Sequence, residues 1–375
     1  MEKIKKASRL RSKNKIVAVG MSGGIDSTIA AYLLKQLGYE VIGLTMKIWD
    51  GSFKFPKSDK PGCFGPSEAA DIKAAQKMAK KLGIKHYVIP VEAAYKKTVL
   101  DYFKKEYLAG HTPNPCIVCN QKIKFGLLLE TAKQSGIKFD YFATGHYARV
   151  DFDKKLKRFI LKKGKDQTKD QSYFLYRLSQ TQLKNLIFPL SSLTKKEVKK
   201  LAEKLGFKEL SAKPESQDFL ECSDHSVLFK KSELKPGDII NQNDKVVGQH
   251  NGIINYTIGQ RKGISNGGSK VPLYVIKIDA LKNQILIGPR DLLYTKKLVA
   301  ILPHWISIDK PNKSFITSAK VRLGAQETAC QIKPLKNKLE IKLDKPQLAV
   351  TPGQSIVFYQ KEIMLGGAII AKNLS

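Results

Sequence analysis

The hydrophobic pattern changes character partway along the chain. KIVAVGM (15–21) is a short apolar run of the kind that forms a buried strand. Ile29, Leu33, Leu34 and Leu37 then recur at helical spacing, and Gly38 supplies a stop. VIGLTMKI (41–48) predicts a second strand, and Pro66 and Ser67 open a helix running to about Gly83. HYVIPV (86–91) predicts a third strand, followed by a helix from about Ala93 to Leu108. Another helix follows Cys119, with Ile123, Leu127, Leu128 and Ala132 on one face, and YFATGHYARV (141–150) predicts a further strand. Such alternation predicts an α/β fold, Rossmann-like, with a mostly parallel sheet and helices on both faces.

The helical pattern ends near Gly206, and SAKPESQD (211–218) reads as a linker or active-site loop. From about Gly237 short strands alternate with turn signals, as in PLYVIKIDALKNQILIG and SIVFYQKEIMLGGAII. The expected plan is a basic arm (1–14), an α/β domain (15–215), a central β-rich domain (216–290) and a C-terminal β-barrel (291–375).

Charge adds a partner. Lys and Arg total 66 against 33 Asp and Glu, a formal net charge of +33 over 375 residues. That imbalance predicts a polyanion, and its spread along the chain suits a large folded nucleic acid. A lysine-rich proteome with solvated surfaces would account for part of the excess. No apolar run approaches the roughly 18 residues of a membrane span. The start, MEKIKKASRLRSKNK, lacks the apolar stretch of a signal peptide and reads as a basic arm on a cytoplasmic protein, with a mitochondrial transit peptide as the other reading. Five cysteines, at 63, 116, 119, 222 and 330, form an odd and sparse set, which favours a reducing compartment over a disulfide scaffold.

Two stretches carry chemistry. GMSGGIDS (20–27) stands between the first strand and the next helix, where a glycine turn and a helix N-terminus make an anion site. Gly23 and Gly24 permit close backbone approach, Ser22 and Ser27 offer hydroxyls, and Asp26 can hold Mg2+ on bound phosphates. The Lys-Ser/Thr ending of a Walker A loop is absent. The other stretch is TPNPCIVCN (112–120). Zinc would need a second ligand pair, and Cys63, Cys222 and Cys330 are singletons. Simple burial of the pair is the bland alternative. A thiol at the start of a helix beginning near Asn120, with Lys122 and Lys124 nearby, is expected to have a depressed pKa, as a sulfur nucleophile requires.

GMSGGIDS resembles the signature of the PP-loop ATP pyrophosphatases, and ATGHYARV (143–150) looks like their second nucleotide-side segment. AGHTPNPCIVCNQKIKFG (109–126) resembles the cysteine segment of the tRNA-specific 2-thiouridylases, and KDQSYFLYRLS (169–179) their tRNA-contacting segment. YTIGQRKGI (256–264) and VTPGQSIVFY (350–359) are similar to the central and C-terminal signatures of that family, in order from about residue 15 to the end.

The resemblance implies ATP-dependent 2-thiolation of the wobble uridine in tRNA, in which O2 is adenylated and a cysteine-borne sulfur displaces AMP. It implies ATP contacts at Gly20, Met21, Ser22, Gly23, Gly24, Ile25, Asp26, Ser27, Met46 and Gly145. Cys119 matches the nucleophile. Asn114, Pro115, Cys116, His146, Lys169, Asp170, Gln171, Arg322, Leu323 and Gln354 match positions near the tRNA. The implied partners are the anticodon stem-loop and a sulfur donor such as a cysteine desulfurase or relay protein. Two departures stand out. Many relatives carry Asp where this chain has Cys116. ESQDFLECS puts Leu220 where the family's persulfide cysteine usually stands, and Cys222 follows two residues later. A shift of two keeps the same face of an extended segment, about 7 Å along. Two sulfur routes remain open: a persulfide on Cys222 or Cys116 with Cys119 attacking or resolving, or an iron–sulfur cluster on Cys116, Cys119 and Cys222. The rival functions are another PP-loop adenylating ligase and a non-catalytic RNA-binding protein.

Overall fold

The computed structural model describes residues 15–58, 60–212, 218–264 and 271–374. The basic arm and residues 213–217 of the SAKPESQD loop lie outside the described residues. The chain forms two compact units. The first takes the chain up to Thr98, Cys116–Ser223 and Glu362–Met364; the second takes Val99–Pro115, Asp224–Lys361 and the chain from Leu365 onward.

The first unit is built on a five-stranded sheet. Its strands are β1 (Ile16–Gly20), β2 (Glu40–Lys47), β4 (Lys85–Pro90), β5 (Tyr141–Ala143) and β8 (Leu186–Ile187), in the order β4-β2-β1-β5-β8. Every pairing is parallel. The order runs outward in both directions from β1, so the chain reverses its direction of winding between β1 and β5. A crevice opens at the carboxyl ends of strands at such a point. Val17 and Val19 point to one face, where α1 (Ile25–Gln36), α2 (Glu68–Leu82) and α8 (Lys195–Lys204) cover them with Ile29, Met78 and Val198. On the other face Phe125 meets Phe142 edge-on at 5.8 Å.

Gly83 ends α2 in the left-handed conformation at φ 63°, the αL stop that its position predicts. The expected helix from Ala93 is α3 (Glu92–Tyr95) and α4 (Asp101–Leu108), joined by a π-helical turn over Lys96–Leu100. A parallel ladder between β3 (Gly62–Phe64) and β9 (Asp218–Leu220) completes the first unit, together with a hairpin of β6 (Ala148–Asp153) and β7 (Arg158–Lys163).

Two expectations are corrected here. YFATGHYARV is not one strand. The chain leaves β5 after Ala143, turns through Thr144–Tyr147 and starts β6 at Ala148 in a different sheet. Gly145 sets the turn, because a Cβ there would lie 2.7 Å from the backbone carbon of Asp26 and 2.9 Å from the nitrogen of Ser27. Nor does the cysteine helix begin near Asn120. It begins with α5 (Pro115–Val118), runs through a π-helical stretch over Cys119–Leu127 and continues as α6 (Leu128–Gln134), and the short α7 (Gln180–Lys184) follows ahead of β8. Pro115 is suited to the first helical position, where no N–H is needed.

The second unit is β-rich. A four-stranded sheet of β10 (Gly237–Ile240), β11 (Val246–His250), β12 (Tyr274–Asp279) and β13 (Gln284–Gly288) has the order β11-β10-β13-β12. The strands β14 (Tyr294–Trp305), β15 (Phe315–Lys320), β16 (Thr328–Pro334), β17 (Lys338–Leu348), β18 (Ser355–Gln360) and β19 (Ile363–Leu374) follow in the order β14-β17-β16-β15-β18-β19. Pairing of β14 with β19 closes the barrel. Among the described residues no helix is long and apolar enough to cross a membrane.

Candidate active site

The glycine turn leaves β1 at its carboxyl end. Met21 is buried, its N–H donates to the carbonyl of Leu44 at 2.8 Å, and its own carbonyl accepts the Thr45 hydroxyl at 2.6 Å. Since Thr45 spends its proton on Met21, the Nε2 of His86, 2.8 Å away, is the donor of that contact. Burial holds His86 below its ordinary pKa, so it stays neutral. Gly23 takes φ 73°, and a Cβ there would meet the Asp71 carbonyl at 2.8 Å. Ser22 is exposed, and its N–H reaches the Ser27 hydroxyl at 3.3 Å. Ser27 in turn donates to the Gly24 carbonyl at 3.1 Å. Ile25 and Asp26 open α1, and Met46 is half-buried near the carboxyl end of the neighbouring strand β2.

Asp26 is held from two sides. Its Oδ1 accepts from the Tyr147 hydroxyl at 2.8 Å, and its Oδ2 meets the ammonium of Lys195 at 2.6 Å. The lysine side chain is 9% exposed. Lys195 opens α8, fixed by a capping box in which Thr194 and Glu197 each take the other's backbone N–H. A lysine in a first turn opposes the helix dipole, and that was the one trace of this pair legible in the sequence.

The Gly145 turn carries His146. Its Nδ1 lies 2.6 Å from the Thr144 hydroxyl, and its ring packs against Phe125 and Phe188. Burial, aided by the nearby Lys124, pushes the imidazole well below its usual pKa. The KDQSYF segment braces this turn: Gln171 accepts the Tyr147 N–H at 3.0 Å and returns its own N–H to the Tyr147 carbonyl. Asp170 is buried and accepts from the Ser172 N–H and hydroxyl, at 3.2 Å and 2.9 Å. Lys169 precedes Asp170 in the turn that Asp166 anchors.

The thiols correct the sequence expectation. Cys119 is buried and lies beyond the first turn of its helix, while Cys116 is half-buried near the helix start. Neither pKa is depressed. Burial pushes Cys116 up to about 12 and Cys119 up to about 11, and Lys124 opposes burial at both. Desolvation of the charged form outweighs the helix and its lysines.

A third thiol joins them, one the sequence had left as a singleton. Cys63 is close enough to Cys116 and Cys119 to raise both pKa values, and its own is raised by burial although solvent reaches the residue. Tyr95, wholly buried, senses all three thiols and is raised well above its ordinary value, chiefly by burial. Its ring stacks on Phe64, the residue after Cys63, at 5.5 Å.

Cys222 is buried two residues beyond β9. In the β3–β9 ladder Phe64 pairs with Leu220, which sets the strand leading to Cys222 alongside the one that holds Cys63. Among the described residues no three or more His, Cys, Asp or Glu side chains are grouped to hold a metal ion. Cys116, Cys119 and Cys222 therefore do not fit an iron–sulfur cluster.

The remaining matched residues belong to the second unit. Gln354 donates to the carbonyls of Thr112 at 2.9 Å and Pro113 at 3.3 Å, just ahead of Asn114 and Pro115. Arg322 and Leu323 are exposed in a turn after β15, with Leu323 49% accessible.

A winding reversal with a glycine turn at the carboxyl edge, followed by two β modules, defines a doubly wound α/β protein with a crevice suited to a nucleotide. The comparisons agree. The family described as the tRNA methyl transferase HUP domain matches residues 15–222, the PRC-barrel domain of the same name matches 225–289, and the aminomethyltransferase beta-barrel domain matches 295–370. The tRNA-specific 2-thiouridylase MnmA 2 of Thermoanaerobacter sp. (strain X514) is 46% identical over 371 residues, covering 96% of this chain and 99% of that protein. MnmA of Endomicrobium trichonymphae is 46% identical, covering 94% and 98%, and MnmA of Acetivibrio thermocellus 44%, covering 96% and 99%. This chain belongs to the MnmA family of tRNA-specific 2-thiouridylases.

Proposed function

We propose that this chain catalyses ATP-dependent 2-thiolation of the wobble uridine of tRNA, with Cys119 as the reactive thiol. The observation that carries the reading is the Gly145–His146 turn. One side of it touches the N-terminus of α1 at Asp26 and Ser27, and the other packs on Phe125 in the helix that holds Cys119. The nucleotide loop and the thiol helix thus flank one short turn.

A carbonyl oxygen is a poor leaving group, so it needs activation. O2 of the uridine attacks the α-phosphorus of ATP, and pyrophosphate departs. The outer sulfur of a cysteine persulfide then attacks C2, and AMP leaves. A second thiolate attacks the inner sulfur, the S–S bond breaks and the base departs with its sulfur. The two cysteines are left as a disulfide that an external thiol reduces. Cys119 is one of the pair, and Cys116 or Cys222 is the other; a separate sulfur-donor protein reloads the persulfide. The backbone N–H groups after β1 and the Ser22 and Ser27 hydroxyls would bind the phosphates. Asp26 would hold Mg2+, which would supply charge screening for the bound phosphates. The base must be flipped from its stack to reach these groups, and the +33 charge favours the phosphate backbone that delivers it. Sparse thiols favour a reducing compartment, which supports a cytoplasmic setting.

The test is a thiolation assay with tRNA, ATP and a persulfide donor, reading 2-thiouridine by mass spectrometry and pyrophosphate by coupled assay. The wild type is expected to form both products and Cys119→Ser to form no thiolated base. Thiolation surviving Cys119→Ser would overturn Cys119 as the reactive thiol, and pyrophosphate release with no thiolated base in the wild type would point to another adenylating PP-loop ligase. Salt-sensitive tRNA binding without pyrophosphate would point to a binding protein.

A further inference from the structure

We propose that Lys195 is a phosphate-contacting residue of the ATP site, held by Asp26 until nucleotide arrives. The proposal rests on the reading of the glycine turn as an ATP site and names a group of that site that its sequence signature lacks. A Walker loop supplies its own lysine, and GMSGGIDS does not. The fold supplies one from 168 residues after Ser27. Lys195 reaches the first turn of α1 from the first turn of α8, with its ammonium 2.6 Å from Asp26 and 6.0 Å from the centre of the Tyr147 ring.

Three features argue for more than a structural ion pair. The lysine is buried, with a side chain 9% exposed, while its partner Asp26 is 29% exposed, so the pair opens toward solvent on the carboxylate side. The same carboxylate stands at the N-terminus of α1, where phosphate is expected and where Mg2+ would sit. And α8 tolerates a cation against its own dipole, fixed there by the Thr194–Glu197 box and by the Lys195 N–H donating to Asp166 at 2.9 Å. The arriving triphosphate takes over the ammonium, and Asp26 is freed from the ion pair, a carboxylate that would then be available to hold Mg2+. Tyr147 keeps the carboxylate oriented during the exchange. No covalent bond changes.

The test compares three ligands and a probe. ATP, pyrophosphate and AMP are titrated calorimetrically into wild type, Lys195→Met and Lys195→Arg. Lys195→Met is expected to weaken ATP and pyrophosphate at least tenfold and AMP less than threefold, with Lys195→Arg recovering part of the loss. Equal losses for all three ligands would mean a structural role and would overturn the proposal, as would no loss. Should Lys195→Met fail to fold, the wild type answers by itself. An acyl-phosphate derivative of ATP transfers its acyl group to a lysine amine beside the outer phosphate, releasing ATP. Peptide mass spectrometry is expected to find the label on Lys195, competed by ATP. ATP-competed labelling of other lysines with none on Lys195 would overturn the assignment. A wild type that neither binds ATP nor is labelled would instead overturn the ATP-site reading itself.

Discussion

The backbone N–H of Ser67 donates to the Glu221 carboxylate at 2.9 Å, and the Ser67 hydroxyl bonds the same carboxylate. The first turn of α2 is therefore capped from 154 residues away, by the residue next to Cys222. Replacing Glu221 with Ala should cost about 1.5–3 kcal/mol, the range for hydrogen bonds to a charged group. Urea denaturation reads the stability. Alkylation of Cys222, now buried, should accelerate in the variant; an unchanged rate would mean that Glu221 does not anchor its neighbour.

The thiols should be sluggish in the free enzyme. A pKa near 11 at Cys119 leaves about a hundredfold less thiolate at pH 8 than an ordinary thiol at 9 would have. The raised value means the neutral form persists to higher pH, so iodoacetamide rates at Cys119 and Cys116 should keep climbing past pH 9. Lys124→Met should slow both further, because it removes the cation that opposes burial. A rate plateau at pH 7 would contradict this.

Gly145→Ala should cripple nucleotide binding. The added methyl would press on the backbone of Asp26 and Ser27 at 2.7–2.9 Å, and such overpacking costs about 1–3 kcal/mol. ATP affinity should fall about tenfold or more in calorimetry, while barrel signals in NMR spectra stay put.

Glu197 should titrate near 2. Its bond with Lys165 comes first among the causes, followed by the backbone N–H of Thr194. A folded pKa below the ordinary 4.5 contributes stability that is present above 4.5 and lost as pH falls toward 2. The group is exposed and the gain accordingly small, so carboxyl NMR titration is the better measurement. Thr194→Ala should cost about 1 kcal/mol through the lost cap.

The parallel sheet and the glycine turn were legible because local signals carry them: an apolar run, a helical stripe and a stop at Gly38. The αL end of α2 at Gly83 was legible for the same reason. The split after Ala143 was not, because the turn at Gly145 answers to the backbone of α1 rather than to its own neighbours. The start of the thiol helix was misplaced by five residues; Pro115 at its first position was a usable signal, while the π-helical stretch leaves no mark on apolar spacing. The direction of the cysteine pKa shifts failed because lysines are visible in sequence and burial is not. Cys63 and Lys195 were missed because strand pairing and helix docking bring them in from afar.

Gln354 gives the cysteine segment a second dependence. The strap at Thr112 and Pro113 is bonded into the TPGQ turn near the end of the chain, and residues 99–115 fold with the β-rich unit. A fragment cut after residue 223 would keep every thiol proposed to react and still lack the partner of that strap. The sulfur-bearing half is thus not excisable as one contiguous piece, and an early stop codon in the last barrel strands should disturb the loop before Cys116 as surely as a mutation within it.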